Sequence, residues 1–146
     1  MLLANKIIEL SGNAMEVFDF VTNIENYAQW FPGVVAIRSA NALAHAQVGK
    51  QYVETLEFPD GVKELVIEVK KSVKYQVFET EGDLAPLLPG MTMLFSTLDQ
   101  PDTCELNLSY RCRNSALSAN DDFIVQIKED LNSRIEIASR NLVMMF

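Results

Sequence analysis

One carboxylate, Glu54, lies in an apolar stretch that has the alternation of a strand. In residues 51–58, Tyr52, Leu56 and Phe58 share one side, and Glu54 has the same phase. A carboxyl group facing an apolar cavity has a raised pKa and can act as an acid or a base near neutral pH. The alternative is that a bulge or register shift turns Glu54 outward, because charged residues are seldom buried without a partner.

Tyrosine hydroxyls are the other candidate polar groups. Tyr52, Tyr75 and Tyr110 fall on predicted inward faces of strands. Their phenols can orient a polar atom of a ligand, or they can be core aromatics with the hydroxyl at a rim. Glu54 and Tyr110 are therefore the candidate catalytic residues. The structural alternatives are that Glu54 faces solvent and that Tyr110 is a core aromatic.

The sequence has few residues that could support other kinds of catalysis. The only histidine, His45, falls in a predicted loop, so Ser-His-Asp and Cys-His systems have no base at hand. Cys104 and Cys112 lie in one predicted strand, roughly 27 Å apart, which is too far for a disulfide. Both are interpreted as small buried hydrophobes. No metal-ligand spacing and no Gly-rich phosphate loop occurs, so we predict no metal and no cofactor.

The composition is that of an ordinary globular protein. The chain has 146 residues, 49% hydrophobic and 22% charged, which predicts a single domain over residues 1–146. Its 12 basic and 20 acidic residues give a formal charge of −8, which argues against nucleic acid and anionic membranes as partners. No secretory signal or membrane-spanning run is recognisable, so we expect a cytoplasmic protein.

The N-terminal part predicts a strand followed by two short helices. The strand covers residues 3–10, and Asn13 with Glu16 resembles a capping box at the start of the first helix. The second helical stretch runs over residues 24–30 and ends before Pro32-Gly33. The apolar face of the first helix consists of Val17, Phe18, Val21 and Ile24.

From residue 34 to residue 113 the hydrophobic period is that of strands. Predicted strands cover residues 34–39, 51–58, 62–69, 73–81, 91–98 and 104–112. Pro59-Asp60-Gly61 is a strong turn signal, and Lys71-Ser72 is a predicted tight turn. Residues 85–90 are predicted to be irregular because two prolines flank two leucines. Strands joined by short turns form an antiparallel meander.

A long amphipathic helix ends the sequence. Asn120 is the predicted N-cap, and Asp121 and Asp122 in the first turn suit the helix dipole. A helix from there to Met145 spans about 39 Å and therefore crosses a whole sheet. Its apolar stripe must be covered by that sheet or by a partner. The stripe consists of Ile124, Ile127, Leu131, Ile135, Ala138, Leu142 and Met145.

This order of elements resembles the helix-grip fold of the START-like (SRPBCC) superfamily, which includes birch-pollen-allergen and polyketide cyclase/dehydrase types. The local resemblance lies in residues 17–34, where a helix is followed by Tyr27, Trp30 and Pro32-Gly33-Val34. The resemblance implies an α+β fold, β-α-α-β-β-β-β-β-β-α, in which a curved antiparallel sheet wraps around the C-terminal helix and encloses a cavity. The superfamily hosts lipid carriers, hormone receptors, cyclases and chaperone activators, so the fold leaves the function open.

The leading prediction is a protein that binds a small hydrophobic ligand, a lipid or a polyketide-like molecule, between sheet and helix. Residues 85–90 are expected at the mouth of the cavity, and Trp30 is expected to pack in the core. The predicted ligand-binding residues are Tyr52, Glu54, Leu56, Leu65, Ile67, Met93, Phe95, Leu108, Tyr110, Ile127, Leu131 and Ile135.

Two other functions are kept beside this one. The first is a cyclase or dehydrase that uses Glu54 and a cavity tyrosine as acid and base. The second is a protein-interaction module that binds through the long helix and its apolar end, residues 142–146, which is predicted either to close the cavity or to form a dimer contact. The protein is expected to be a monomer or a homodimer.

Overall fold

The computed structural model describes all residues, 1–146, and has an α+β architecture. None of its helices is both long and apolar enough to cross a membrane. The elements in chain order are β1 (Leu2–Leu10), α1 (Ala14–Val21), a 3₁₀ turn (Ile24–Asn26), α2 (Tyr27–Trp30), β2 (Val34–Ser39), β3 (Gln51–Phe58), β4 (Gly61–Val73), β5 (Val77–Gly82), β6 (Pro89–Thr97), β7 (Cys104–Cys112) and α3 (Asp122–Met145).

All strands form one antiparallel sheet of order β1-β7-β6-β5-β4-β3-β2. Strands β2 to β7 follow one another as hairpins, which confirms the predicted meander. Strand β1 pairs with β7, with Leu10 opposite Cys104, so the first strand lies beside the last one. Helix α3 packs against β1 and α2. The predicted helix-grip fold is therefore confirmed.

Helix α1 begins as the sequence predicts, and α3 does not. The Asn13 side chain accepts a hydrogen bond of 2.9 Å from the backbone N–H of Glu16. The N-cap of α3 is Asp121 rather than Asn120, and its carboxylate accepts a hydrogen bond from the Ser118 N–H instead of capping the helix. The Asp121 carboxylate therefore bonds to the loop before α3 and does not accept a hydrogen bond from the first turn of the helix.

Strand β4 is longer than predicted. The register with β5 shifts between Val69 and Lys71, and the strand continues through the predicted Lys71-Ser72 turn to Val73. The chain reverses after it, where Gln76 N–H donates to Val73 O at 3.0 Å. Tyr75 lies in this turn with a φ of 65°, not in a strand. A bulge of this kind inserts a residue and moves the turn along the chain.

Strand β6 begins two residues earlier than predicted. Pro89 is its first residue and pairs with Cys112, a position where proline is tolerated because the ladder loses only one donor. The irregular segment therefore ends at Leu88, which has a φ of 49°.

The core consists of two clusters of buried apolar residues. The larger one lies between the sheet, α1, α2 and the C-terminal half of α3 and contains Trp30, which is fully buried as predicted. The smaller one joins β1, the segment before β6, β7 and the start of α3. Cys104 and Cys112 are buried and free. At the C-terminal end, the Phe146 ring packs edge-on against the Phe20 ring, with the ring centroids 5.6 Å apart. Phe146 does not line the cavity described below.

Candidate functional site

A cavity of about 90 Å³ lies between α3 and the sheet. Its walls take residues from both core clusters, so it is the space that the two clusters leave between them. The walls are mainly apolar. The sheet contributes Leu56, Leu65, Ile67 and Met91, α3 contributes Ile127 and Leu131, and α2 and the residue after it contribute Tyr27 and Phe31.

Glu54 lies on the wall of this cavity. It is inward-facing and only 3% exposed, and its Oε2 atom has no hydrogen-bond partner. Burial raises the pKa of Glu54 to about 8, and the nearby positive charge of Arg134 lowers that pKa by a smaller amount. At neutral pH Glu54 is therefore mainly a neutral carboxylic acid, which has one O–H donor.

Two phenols lie close to this acid. The Tyr27 and Tyr110 hydroxyls are hydrogen-bonded to each other, and both residues line the cavity. Burial is the main cause that raises the pKa of each tyrosine, and the charge of Glu54 raises both pKa values further. The Tyr27 ring stacks on Phe31 at 4.9 Å, which fixes its orientation. The cavity thus has one polar corner with an acid and two neutral hydroxyls.

Arg134 on α3 is the cationic residue of the cavity wall. Its Nε atom lies 2.9 Å from an Asp130 carboxylate oxygen, one helical turn earlier, and its Nη1 atom donates to Pro32 O at 3.4 Å. A side chain at Gly33 would collide with the guanidinium, because a Cβ there would lie 1.8 Å from Nη1. Gly33 has a φ of 86°, so glycine both permits this turn and leaves room for Arg134.

The segment between β5 and β6 and the start of β6 form one side of the cavity. Leu87 of the segment is buried and lines the cavity together with Pro89 and Gly90 of β6. The thiol of Cys112 donates a hydrogen bond to Leu87 O at 3.0 Å, which ties the segment to β7. Glu57, which also lines the cavity, is exposed to solvent at the end of β3. Of residues 85–90, which were expected at the mouth of the cavity, three line it: Leu87, Pro89 and Gly90.

The structure divides the predicted ligand-binding residues into two groups. Those around the cavity are Glu54, Leu56, Leu65, Ile67, Tyr110, Ile127 and Leu131. The others do not line the cavity and pack in the larger core cluster: Tyr52, Met93, Phe95, Leu108 and Ile135. They have the inward phase, but they lie where the larger core cluster fills the space. Tyr75 lies in a turn, where its ring contacts Phe18 at 5.5 Å.

Tyr52 illustrates this second group. It is fully buried, and its hydroxyl is hydrogen-bonded to Nδ1 of His45 rather than facing the cavity. The Lys50 ammonium lies 5.4 Å from the centre of its ring. Burial raises the pKa of Tyr52 to about 12. This tyrosine attaches the loop before β3 to the sheet.

Several cavity residues were not predicted, among them Tyr27, Thr80, Asp130 and Arg134. Asp130 and Arg134 carry a signal in the sequence, since they are four residues apart and flank Leu131 on the apolar stripe of α3. Tyr27 belongs to the stretch that carries the superfamily resemblance. No sequence pattern indicates that its hydroxyl meets that of Tyr110, which is 83 residues away.

The chain matches no protein-family model and no curated protein sequence. Among solved structures it is similar to a START superfamily protein from Mycobacterium smegmatis, with 14% identity, a TM-score of 0.77 and 99% of both chains covered. It is similar to the protein XoxI from Bacillus cereus, with 13% identity, a TM-score of 0.68, and 98% of this chain and 94% of that one covered.

A third similar structure is the di-domain ARO/CYC protein StfQ from the steffimycin biosynthetic pathway. The identity is 9% and the TM-score 0.68, and the match covers 99% of this chain and 50% of that one. At these identities the likeness concerns the fold. The chain therefore has a START-like fold.

Proposed function

We propose that this protein binds a small hydrophobic molecule in the cavity between α3 and the sheet. The observation that carries the proposal is an apolar cavity with an unpartnered, buried carboxyl oxygen on its wall. A buried polar group without a partner costs free energy, so its retention beside an empty space favours a ligand that supplies the missing partner. The START superfamily and ARO/CYC structures to which the chain is similar fit a fold that binds ligands.

The size of the cavity limits the ligand. An apolar cavity of about 150 Å³ holds benzene, and the volume here is about 90 Å³. A ligand larger than a short alkyl chain would therefore extend past the half-buried rim residues Leu56, Phe58 and Leu131. The apolar part would fill the space, and one polar atom would reach the corner formed by Glu54, Tyr27 and Tyr110.

A pair of tryptophan variants on α3 tests this proposal. Leu131→Trp places a large ring at the cavity, whereas Val125→Trp places the same ring on the exposed face of the same helix. Hexan-1-ol is titrated into each protein, and the amide NMR signals of Gly82 and Gly90 on the cavity wall are followed. We expect L131W to weaken binding at least about tenfold and V125W to leave it unchanged. Equal affinities, or shifts scattered over the surface, would contradict the proposal.

A second candidate function is acid–base catalysis, and the state of Glu54 favours it. A carboxylic acid that keeps its proton near neutral pH can donate it to the leaving hydroxyl of a β-hydroxy ketone, which departs as water. The carboxylate that remains can take the proton from the α-carbon, which lies between the carbonyl carbon and the carbon that carried the hydroxyl. The acid is thereby regenerated, and a carbon–carbon double bond forms.

The dehydration of 4-hydroxybutan-2-one tests this candidate. Formation of the unsaturated ketone is followed by its ultraviolet absorbance, with wild-type protein, Glu54→Gln and the control Glu64→Gln, at an exposed position of β4 outside the cavity. We expect the wild type and E64Q to accelerate the reaction, by about 10²-fold or more for acid–base catalysis, and E54Q to fall to the buffer rate. A wild type no faster than buffer, or an E54Q as fast as the wild type, would argue against catalysis. No comparable observation favours the protein-interaction module.

A further inference from the structure

The charges around the cavity are unbalanced. Its wall has three carboxyl groups, Glu54, Glu57 and Asp130, and one cationic side chain, Arg134. Arg134 is already engaged by Asp130 at 2.9 Å and by Pro32 O. Glu54 and Glu57 take part in none of the ion pairs of the structure. A ligand carboxylate would therefore enter a site that has carboxyl groups outside any ion pair and no free cation.

The aromatic residues of the cavity wall favour a positively charged ligand. The rings of Tyr27 and Phe31 stack at 4.9 Å, and the Phe31 and Tyr110 centroids lie 5.5 Å apart. All three residues line the cavity beside Glu54. The faces of such rings attract cations, and more strongly where water is excluded. The whole chain, with a net charge of −8, also attracts cations toward its surface.

We infer that the ligand is a small apolar amine, bound as its ammonium ion with an N–H donated to the unpartnered Oε2 atom of Glu54. This inference rests on the proposed function and names the class of ligand. The carboxylate oxygen gains the hydrogen bond that it lacks, and the alkyl part of the ligand occupies the apolar walls. The rings of Tyr27 and Tyr110 lie beside the charged nitrogen.

Binding of an ammonium ion has a consequence for protons. Before binding, Glu54 holds its proton up to a pH of about 8. The ammonium ion favours the carboxylate, so the Glu54 proton is released to solvent and the amine keeps its own. Affinity for the amine should therefore increase with pH, at most about tenfold per pH unit, and level off above pH 8. An alkyl ammonium keeps its charge to a pH of about 10.

The other groups that face Glu54 do not account for such a profile. Tyr27 from α2 and Tyr110 from β7 have raised pKa values and stay neutral. Arg134 from α3 is paired with Asp130. Glu57, on the same strand as Glu54, is exposed but also lines the cavity, so the control is Glu64, an exposed carboxylate of β4 that does not line it.

A matched series of hexyl compounds tests the inference. Hexylamine, hexan-1-ol and hexanoate share one alkyl chain, and their affinities are measured by calorimetry between pH 6 and pH 8.5 in buffers of different ionisation enthalpy. We expect hexylamine to bind at least about tenfold more tightly than hexanol at pH 8, with release of close to one proton at pH 6.5, and hexanoate to bind most weakly. Glu54→Gln should abolish the preference for the amine and keep hexanol binding, whereas Glu64→Gln, at an exposed position of β4 outside the cavity, should keep the preference.

The outcomes separate the two proposals. If hexanol binds as tightly as hexylamine in the wild type, or if the amine releases no proton, the amine inference is overturned and the cavity proposal stands. If E54Q keeps the preference for the amine, or if E64Q loses it as E54Q does, the assignment to Glu54 is wrong. If none of the three compounds shifts the Gly82 and Gly90 signals, the cavity proposal itself fails. Proton release is measured on the wild-type protein, so it does not depend on a variant that folds.

Discussion

Two buried ionisable side chains in this protein have opposite surroundings. Lys50 and Glu54 are both 3% exposed. The Lys50 ammonium donates to Asn41 O at 2.9 Å and lies over the Tyr52 ring, so its charge is compensated within the fold. Glu54 has an oxygen without a partner and faces empty space. Lys50 therefore serves the structure, whereas the position of Glu54 has no structural benefit that a neutral residue would not give.

The cost of burying Glu54 predicts how the stability of the protein changes with pH. The pKa of Glu54 is 4.5 in the unfolded chain and about 8 in the folded one. Between these values the folded state holds the proton that the unfolded state has lost, so the free energy of unfolding decreases as pH increases through this window. Glu54→Gln removes this effect. The stability advantage of E54Q over the wild type should therefore grow by a few kcal/mol from pH 4.5 to pH 8.

Urea denaturation at pH 5, 6, 7 and 8.5 measures this difference. Glu57→Gln, at an exposed position of the same strand, should give a curve parallel to that of the wild type. Parallel curves for E54Q and the wild type would show that Glu54 is not buried as a neutral acid.

At the level of elements, the sequence predicts strands better than the bulges and caps between them. Strands β3 and β7 have the predicted bounds, because alternation is regular there and turn residues flank both. Strand β4 was predicted too short, because the bulge after Val69 breaks the alternation without a proline or glycine. The start of α3 depends on which of several polar side chains the preceding loop engages, and neighbouring Asn and Asp residues are equally suited to cap.

The candidate site was predictable only in part, for a geometric reason. Alternation indicates the face on which a side chain lies, but not what covers that part of the face. Met93 and Tyr110 share the inward face of neighbouring strands. Met93 lies in the larger core cluster and is fully buried there, and Tyr110 reaches the cavity. The difference is set by where α1, α2 and α3 cross the sheet, which is tertiary information.

Considered as a whole, the molecule combines a densely packed part with one that is left open. Helix α3 packs closely on β1 and also meets α2. The cavity lies where α3 faces the inner surfaces of β3 to β6, with Tyr110 from β7. Empty space of this kind lowers stability, because the atoms that line it lose dispersion contacts. Filling the cavity should therefore stabilise the fold and remove the proposed function, whereas the same change in the packed part should only destabilise it.

Ile67 and Val69 allow this comparison within one strand. Both face inward from β4, but Ile67 lines the cavity, and Val69 is fully buried in the larger core cluster. Ile67→Phe should raise the free energy of unfolding by about 0.5–2 kcal/mol and weaken hexanol binding. Val69→Phe overpacks the core, so it should lower the free energy of unfolding by about 1–3 kcal/mol and leave the cavity unfilled. Urea denaturation and hexanol titration of both variants measure the two effects. If I67F is destabilised as much as V69F, the space beside Ile67 is not available to a side chain of that size, and a hexyl chain would be excluded from it on the same grounds.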